Sequence, residues 1–130
     1  MIIKQKNGVK AYKVLQKLNA QETSGSLALK IFKAMNVFQL IWDFQIQEEK
    51  KIMEKYPDFD PMTGSINVEA KGGNKEEAIN EIKKIDQELT DLANLDTDID
   101  FEPFIISLDG ESIKLSGQDI KDLTGFVTFE

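Results

Sequence analysis

The chain has 130 residues, 30% of them charged and 41% hydrophobic, with a formal net charge of −7; this is the size and balance of one folded domain spanning 1–130. It contains no His, no Cys and no Arg, so all 16 basic residues are Lys. That excludes disulfides and thiolate metal sites, and it removes the commonest general base, the strongest side-chain nucleophile and the bidentate clamp for phosphate, carboxylate or guanine.

Charge is divided along the chain. Residues 1–75 carry 12 Lys against 8 acids, and residues 76–130 carry 4 Lys against 15 acids. A bipolar protein is suited to docking on complementary patches or to self-association. The net negative charge disfavours nucleic acid as a partner.

Met1 to Lys4 holds too short an apolar run for a signal peptide, which leaves the cytosol as the expected site of synthesis. Ile2 and Ile3 form a short strand or arm. Asn7-Gly8 reads as a turn or cap. Val9 to Leu18 reads as a short amphipathic helix, with Val9, Tyr12, Leu15 and Leu18 inward and Lys10, Lys13 and Lys17 outward.

The stretch from Ser24 to Tyr56 has no Gly or Pro after Gly25 and predicts one long helix over about 26–56. Ser24 and Ser26 are capping hydroxyls, and no acid follows until Asp43, so the cap rests on hydroxyls alone. Leu27, Ile31, Ala34, Met35, Phe38 and Trp42 recur at helical spacing. A second apolar set falls on other faces. Phe32, Leu40, Trp42, Phe44 and Ile46 are the surplus, and they are the candidate partner-binding residues. Lys30, Lys33, Asp43 and the glutamines interrupt any membrane-spanning run.

Tyr56-Pro57 ends this helix. Residues 57–73 form the longest loop, with turn signals at Asp60-Pro61 and Thr63-Gly64 and a brief strand at Ile66 to Val68. Gly72-Gly73-Asn74-Lys75 lacks the spacing of a phosphate loop and leads into two glutamates that repel phosphate. A second helix follows over about 75–95, with Asn74 and Glu77 at capping-box spacing. Ala78, Ile82, Ile85, Leu89 and Leu92 step as a heptad seam. Packed antiparallel, this seam would cover one face of the long helix.

Asp96, Asp98 and Asp100 alternate, and together with Glu102 they carry the oxygen donors a divalent cation takes. A solvated strand face beside a helix end is the simpler reading, and no metal is assigned. Asp109-Gly110 is a hairpin turn signal, so Phe104 to Leu115 predicts a β-hairpin. Ser116 and Asp119 cap a short helix over Gln118 to Thr124, ended by Gly125. Phe126, Val127 and Phe129 form an apolar tail. The expected class is α+β and mostly helical.

The order of these parts, with Glu54-Lys55-Tyr56 closing the long helix, the run Leu95 to Asp100 and the segment Ser107 to Leu123, resembles a family of small proteins without assigned function. Tailed bacteriophages and prophages of low-GC Gram-positive bacteria encode it. The resemblance implies a phage protein and carries over no site residue. With no catalytic signature or cofactor motif, the expected function is non-enzymatic. The protein would act by protein–protein contact as a virion or assembly component or an adaptor, synthesised in the host cytoplasm. The alternative is a binding or inhibitory module against a host defence or metabolic factor.

Overall fold

Ser24 accepts a hydrogen bond from the Leu27 amide through its hydroxyl, and α2 runs from Gly25 to Lys55 without a break. In this computed structural model, which describes residues 1–130, α2 is the spine. The backbone amide of Ser24 also donates to the Glu111 carboxylate, at 3.2 and 3.3 Å from its two oxygens. A distant segment thus supplies the negative charge that the first turn lacks, which favours the positive end of the helix dipole. The expectation of a cap made only by hydroxyls is corrected on this point.

The principal neighbour of α2 is α1 (Gln5–Asn19), antiparallel to it. Tyr12, Leu15 and Leu18 pack with Ile31, Ala34, Phe38 and Ile41 in a core that includes Leu123, Phe126 and Val127. Helix α1 starts four residues before the expected Val9 and runs straight through Asn7-Gly8. Gly8 is not a turn residue. A Cβ there would sit 2.7 Å from Ile41 Cδ1 and 2.9 Å from its Cγ2, so glycine is what lets α1 and α2 approach closely.

The second predicted helix, α3 (Lys75–Ala93), has the Asn74 side chain accepting from the Glu77 amide. It packs antiparallel on α2 as expected, but staggered. Lys55 pairs with Glu88, and the Gln5 backbone amide bonds the Leu95 carbonyl at 2.8 Å. Only the C-terminal half of α3 therefore meets the end of α2. Ala78 near the start of α3 and Ile85 at its middle cover Ile66, a second small core joined by Met53, Tyr56 and Phe59. The segment 57–73 is thereby more ordered than a plain loop. It holds the antiparallel pair β2 (Phe59–Asp60) and β3 (Ser65–Ile66) and a 3-10 turn over Val68–Lys71. Lys71 ties it down through Asp58 at 3.4 Å and Glu81 at 3.0 Å. Glu81 first, and then Asp58, hold the Lys71 ammonium above its ordinary range.

Strand β1 (Ile2–Lys4) pairs antiparallel with β4 (Asp96–Asp98) in the register Ile2–Asp98, Ile3–Thr97 and Lys4–Asp96. The predicted hairpin over Phe104 to Leu115 is not formed. Strand β5 (Phe104–Ile106) pairs instead, in parallel, with the apolar tail β6 (Val127–Phe129). Asp109-Gly110 does turn, but the returning backbone is already satisfied elsewhere. The Gln21 side chain accepts from the Lys114 amide at 2.7 Å and donates to its carbonyl at 2.9 Å. Between β5 and β6 lies α4 (Gly117–Asp122), opened by a full capping box of Ser116 and Asp119. Asp119 also binds Lys17 of α1 at 2.9 Å, which fastens the crossover to the helical layer.

Candidate interaction surface

The α1 helix covers the side of α2 marked by Ile31, Ala34, Phe38 and Ile41, all nearly inaccessible to solvent. At 3.6 residues per turn the opposite side carries Leu29, Phe32, Leu40 and Phe44, and no helix or strand of the fold covers it. Leu40 is 73% exposed, Phe32 57% and Leu29 53%. Large apolar side chains rarely stay so exposed in a row unless something docks there.

The five candidate residues do not form one site. Phe32, Leu40 and Phe44 share the outer stripe. Ile46, also exposed, lies on its edge and lines a groove with Met53, Phe59 and Leu89, where α2 meets α3 and β2. Trp42 is engaged within the fold. Its ring stacks on Tyr12 with centroids 5.3 Å apart, and the Lys13 ammonium lies 5.7 Å from its centroid. It therefore belongs to the α1–α2 joint. Leu29 joins the stripe, as its place one turn before Phe32 and Lys33 allows.

The Thr97–Phe104 segment runs beside α2 and makes a trough along the edge of the stripe that holds Leu40 and Phe44, while Leu29 and Phe32 lie outside it. One part, about 390 Å³, has Val37, Leu40 and Phe44 on one wall and Ile99 with Asp98 and Asp100 on the other. It continues, sharing Val37 and Asp100, into a smaller part of about 250 Å³ between Lys30 and Lys33 and the residues Phe101, Glu102 and Phe104. Lys30, Lys33, Asp100 and Glu102 make no ion pair within 4.0 Å, and Asp98 has only the Met1 amino group at 3.3 Å. The floor of the trough is apolar and its rim is charged with both signs.

The acidic alternation Asp96, Asp98, Asp100 lies where the sequence places it, but the strand disperses the carboxylates. Asp96 binds Lys4 at 2.7 Å and Asp98 binds the chain's amino group. No group of three or more His, Cys, Asp or Glu side chains is arranged to hold a metal ion. No helix is long and apolar enough to cross a membrane. Lys55, Tyr56 and Glu88 form a cluster of titratable groups shifted by one another. Lys55 and then Tyr56 hold the Glu88 carboxyl below its usual range, and Glu88 raises both partners. These three residues fasten the end of α2 to α3 and line none of the trough.

The acid wall beside Leu40 and Phe44 was not legible in the sequence as part of a site. Nothing local to Val37, Leu40 or Phe44 points to Asp98 or Asp100, which lie beyond α3 in the chain. The β1–β4 pairing, the Gln5 side chain between Ile41 and Thr97, and the burial of Ile99 in the core bring Thr97 to Asp100 alongside α2. Comparison with protein-family models, with curated proteins and with solved structures finds no match to this chain.

Proposed function

We propose that the chain is a non-enzymatic protein of a tailed bacteriophage or prophage, made in the host cytoplasm, that works by protein–protein contact as a virion or assembly component or an adaptor. The observation that carries the contact reading is the uncovered outer side of α2, where Leu29, Phe32, Leu40 and Phe44 remain exposed while the same helix buries its other side completely. The pattern of motifs from Glu54 to Leu123 supports the phage origin.

A photo-crosslinking residue at Leu40, introduced in phage-producing cells, tests the contact. An adduct formed from position 40 but not from the exposed Gln118 on α4 is the expected result. Equal or absent crosslinking at both positions would sink the reading. Mass spectrometry of purified virions then separates a particle component from an adaptor left behind in the cell.

A further inference from the structure

We propose that the trough takes an extended, basic peptide segment of a partner protein, added as a strand along the edge from Asp100 to Ile105; this rests on the contact reading above and names the form of its partner. Strands β4 and β5 are paired, to β1 and to β6, but the link between them is not. The backbone N–H and C=O groups of Asp100, Phe101 and Glu102 have no hydrogen-bond partner in the chain. Ile99 donates its amide to the Met1 carbonyl at 2.8 Å and accepts from the Met1 amino group at 3.1 Å. Strand groups alternate in direction, so Asp100 turns its own away from β1. In β5 the Phe104 amide donates to the Phe126 carbonyl and the Ile106 carbonyl accepts from the Glu130 amide. Ile105 between them, its side chain half exposed, likewise turns its backbone away from β6.

This free edge borders the trough. Beyond the part that holds Lys30 and Phe104, the trough continues into a third part of about 290 Å³, where Ile105 and Ser107 face Ser24 and Leu27. A partner helix keeps its backbone groups in its own bonds and has none to give to such an edge. An added strand offers them, with alternate side chains entering the pockets alongside. From Ile99 to Ser107 the edge is roughly 26 Å long at ~3.3 Å per residue, which a segment of about eight residues spans. Pro103 offers no amide, so the backbone contacts fall in two groups. Charge selects the segment. Asp100, Glu102 and Asp109 line the trough on the strand side without an ion pair within 4.0 Å. With Asp98 they outnumber Lys30 and Lys33, and the 390 Å³ part is lined by acids and no lysine. A Lys or Arg side chain there lays its methylenes on Val37, Leu40 and Phe44 and sets its cation by Asp98 and Asp100.

Selection of displayed short random peptides on the immobilised full chain tests this; the most enriched sequence, made with a fluorescent label, is the probe. It is expected to be rich in Lys or Arg, with large side chains at every second position. N-methylation of one alternate set of its residues should weaken binding about tenfold, and of the other set hardly at all, since one side of an added strand pairs. Asp100→Lys with Glu102→Lys, both exposed, should weaken binding about tenfold. Asp86→Lys with Asp91→Lys, the same charge change on exposed positions of α3, should not; thermal melting confirms that each variant folds. In the wild-type chain the Asp100 and Ile105 amides should exchange fast with solvent when free and slowly once the probe is bound. Failure to enrich a peptide overturns the proposal, as does a probe that binds as a helix, one indifferent to N-methylation or to the Asp100–Glu102 change, or one that leaves both amides exchanging fast. Any of these results together with a Leu40 adduct in cells removes the strand addition and leaves the contact reading standing; with no adduct, both fall.

Discussion

The side-chain amide of Gln5 donates a 2.9 Å hydrogen bond to the backbone carbonyl of Ile41, 36 positions along the chain. Gln5 is fully buried. Its nitrogen also donates to Gln45 Oε1 at 3.3 Å, and its oxygen accepts from the Thr97 hydroxyl at 3.1 Å. One amide therefore ties α1 to α2 and to β4, and it leaves none of its own polar atoms unpaired, as burial requires.

Three substitutions at position 5 should rank by what they leave behind. Gln5→Met keeps the volume and loses the bonds, while Gln45 and Thr97 retain access to water; a loss of about 1 kcal/mol is expected. Gln5→Ala adds a cavity, for about 2–3 kcal/mol. Gln5→Glu sets a carboxylate oxygen against the Ile41 and Gln45 oxygens. The helix N-terminus favours an anion by less than ~1 kcal/mol, too little to offset a buried charge facing acceptors. The order Met, Ala, Glu in denaturant midpoints at neutral pH is the check, and Glu as the mildest of the three would refute the bonding.

Gly8→Ala sets two effects of opposite sign against each other. Alanine favours a helix interior by about 1 kcal/mol. Here the new Cβ would fall 2.7 Å from Ile41 Cδ1, and overpacking of that kind costs about 1–3 kcal/mol. A net loss is expected. Ile41→Val removes Cδ1 but leaves Cγ2 at 2.9 Å, so the double variant should recover part of the loss. Chemical denaturation of the four-member cycle would show that coupling; strict additivity would mean the clash is relieved elsewhere.

Most of the helical frame was legible in the sequence because its causes are local. Ser24, Asn74 and the Ser116–Asp119 pair announce helix starts, and each does cap one. What was hidden depends on partners far along the chain. Gly8 resembles a turn residue until Ile41 is placed against it. Asp109-Gly110 has good hairpin chemistry, yet Gln21 and the tail strand take the hydrogen bonds a hairpin would need. The apolar surplus on α2 was readable from its periodicity. Which members stay exposed was not, since Trp42 is withdrawn by Tyr12 and Leu40 is left out only because α1 takes the opposite side.

The Asp119 carboxylate gives a prediction in pH. The Lys17 ammonium first, and then the Ser116 amide, hold its carboxyl below the ordinary range. A carboxyl whose folded pKa is depressed adds stability that is fully present above its unfolded value, about 3.9, and that disappears as pH falls through the folded value. Asp119→Asn should therefore cost about 1–2 kcal/mol at neutral pH, within the range of a lost cap, and the gap to wild type should close as the pH drops below about 4. Thermal melts of both proteins over that range would reveal it. A gap that stays constant into acid would mean that the carboxylate's charge is not what stabilises the crossover.

Trp42 and Leu40 stand two positions apart on α2 and should behave oppositely. Trp42 is half-buried in its stack with Tyr12. A core aromatic truncated to alanine loses about 3–5 kcal/mol, and a half-buried one is expected to lose about 2 kcal/mol on the same scale. Leu40 is 73% exposed, so Leu40→Ala should change the stability of dilute protein by no more than ~0.5 kcal/mol. Chemical denaturation of the purified variants measures both terms. A Leu40→Ala deficit as large as that of Trp42→Ala would place Leu40 inside the fold and leave the outer side of α2 with no contact to make.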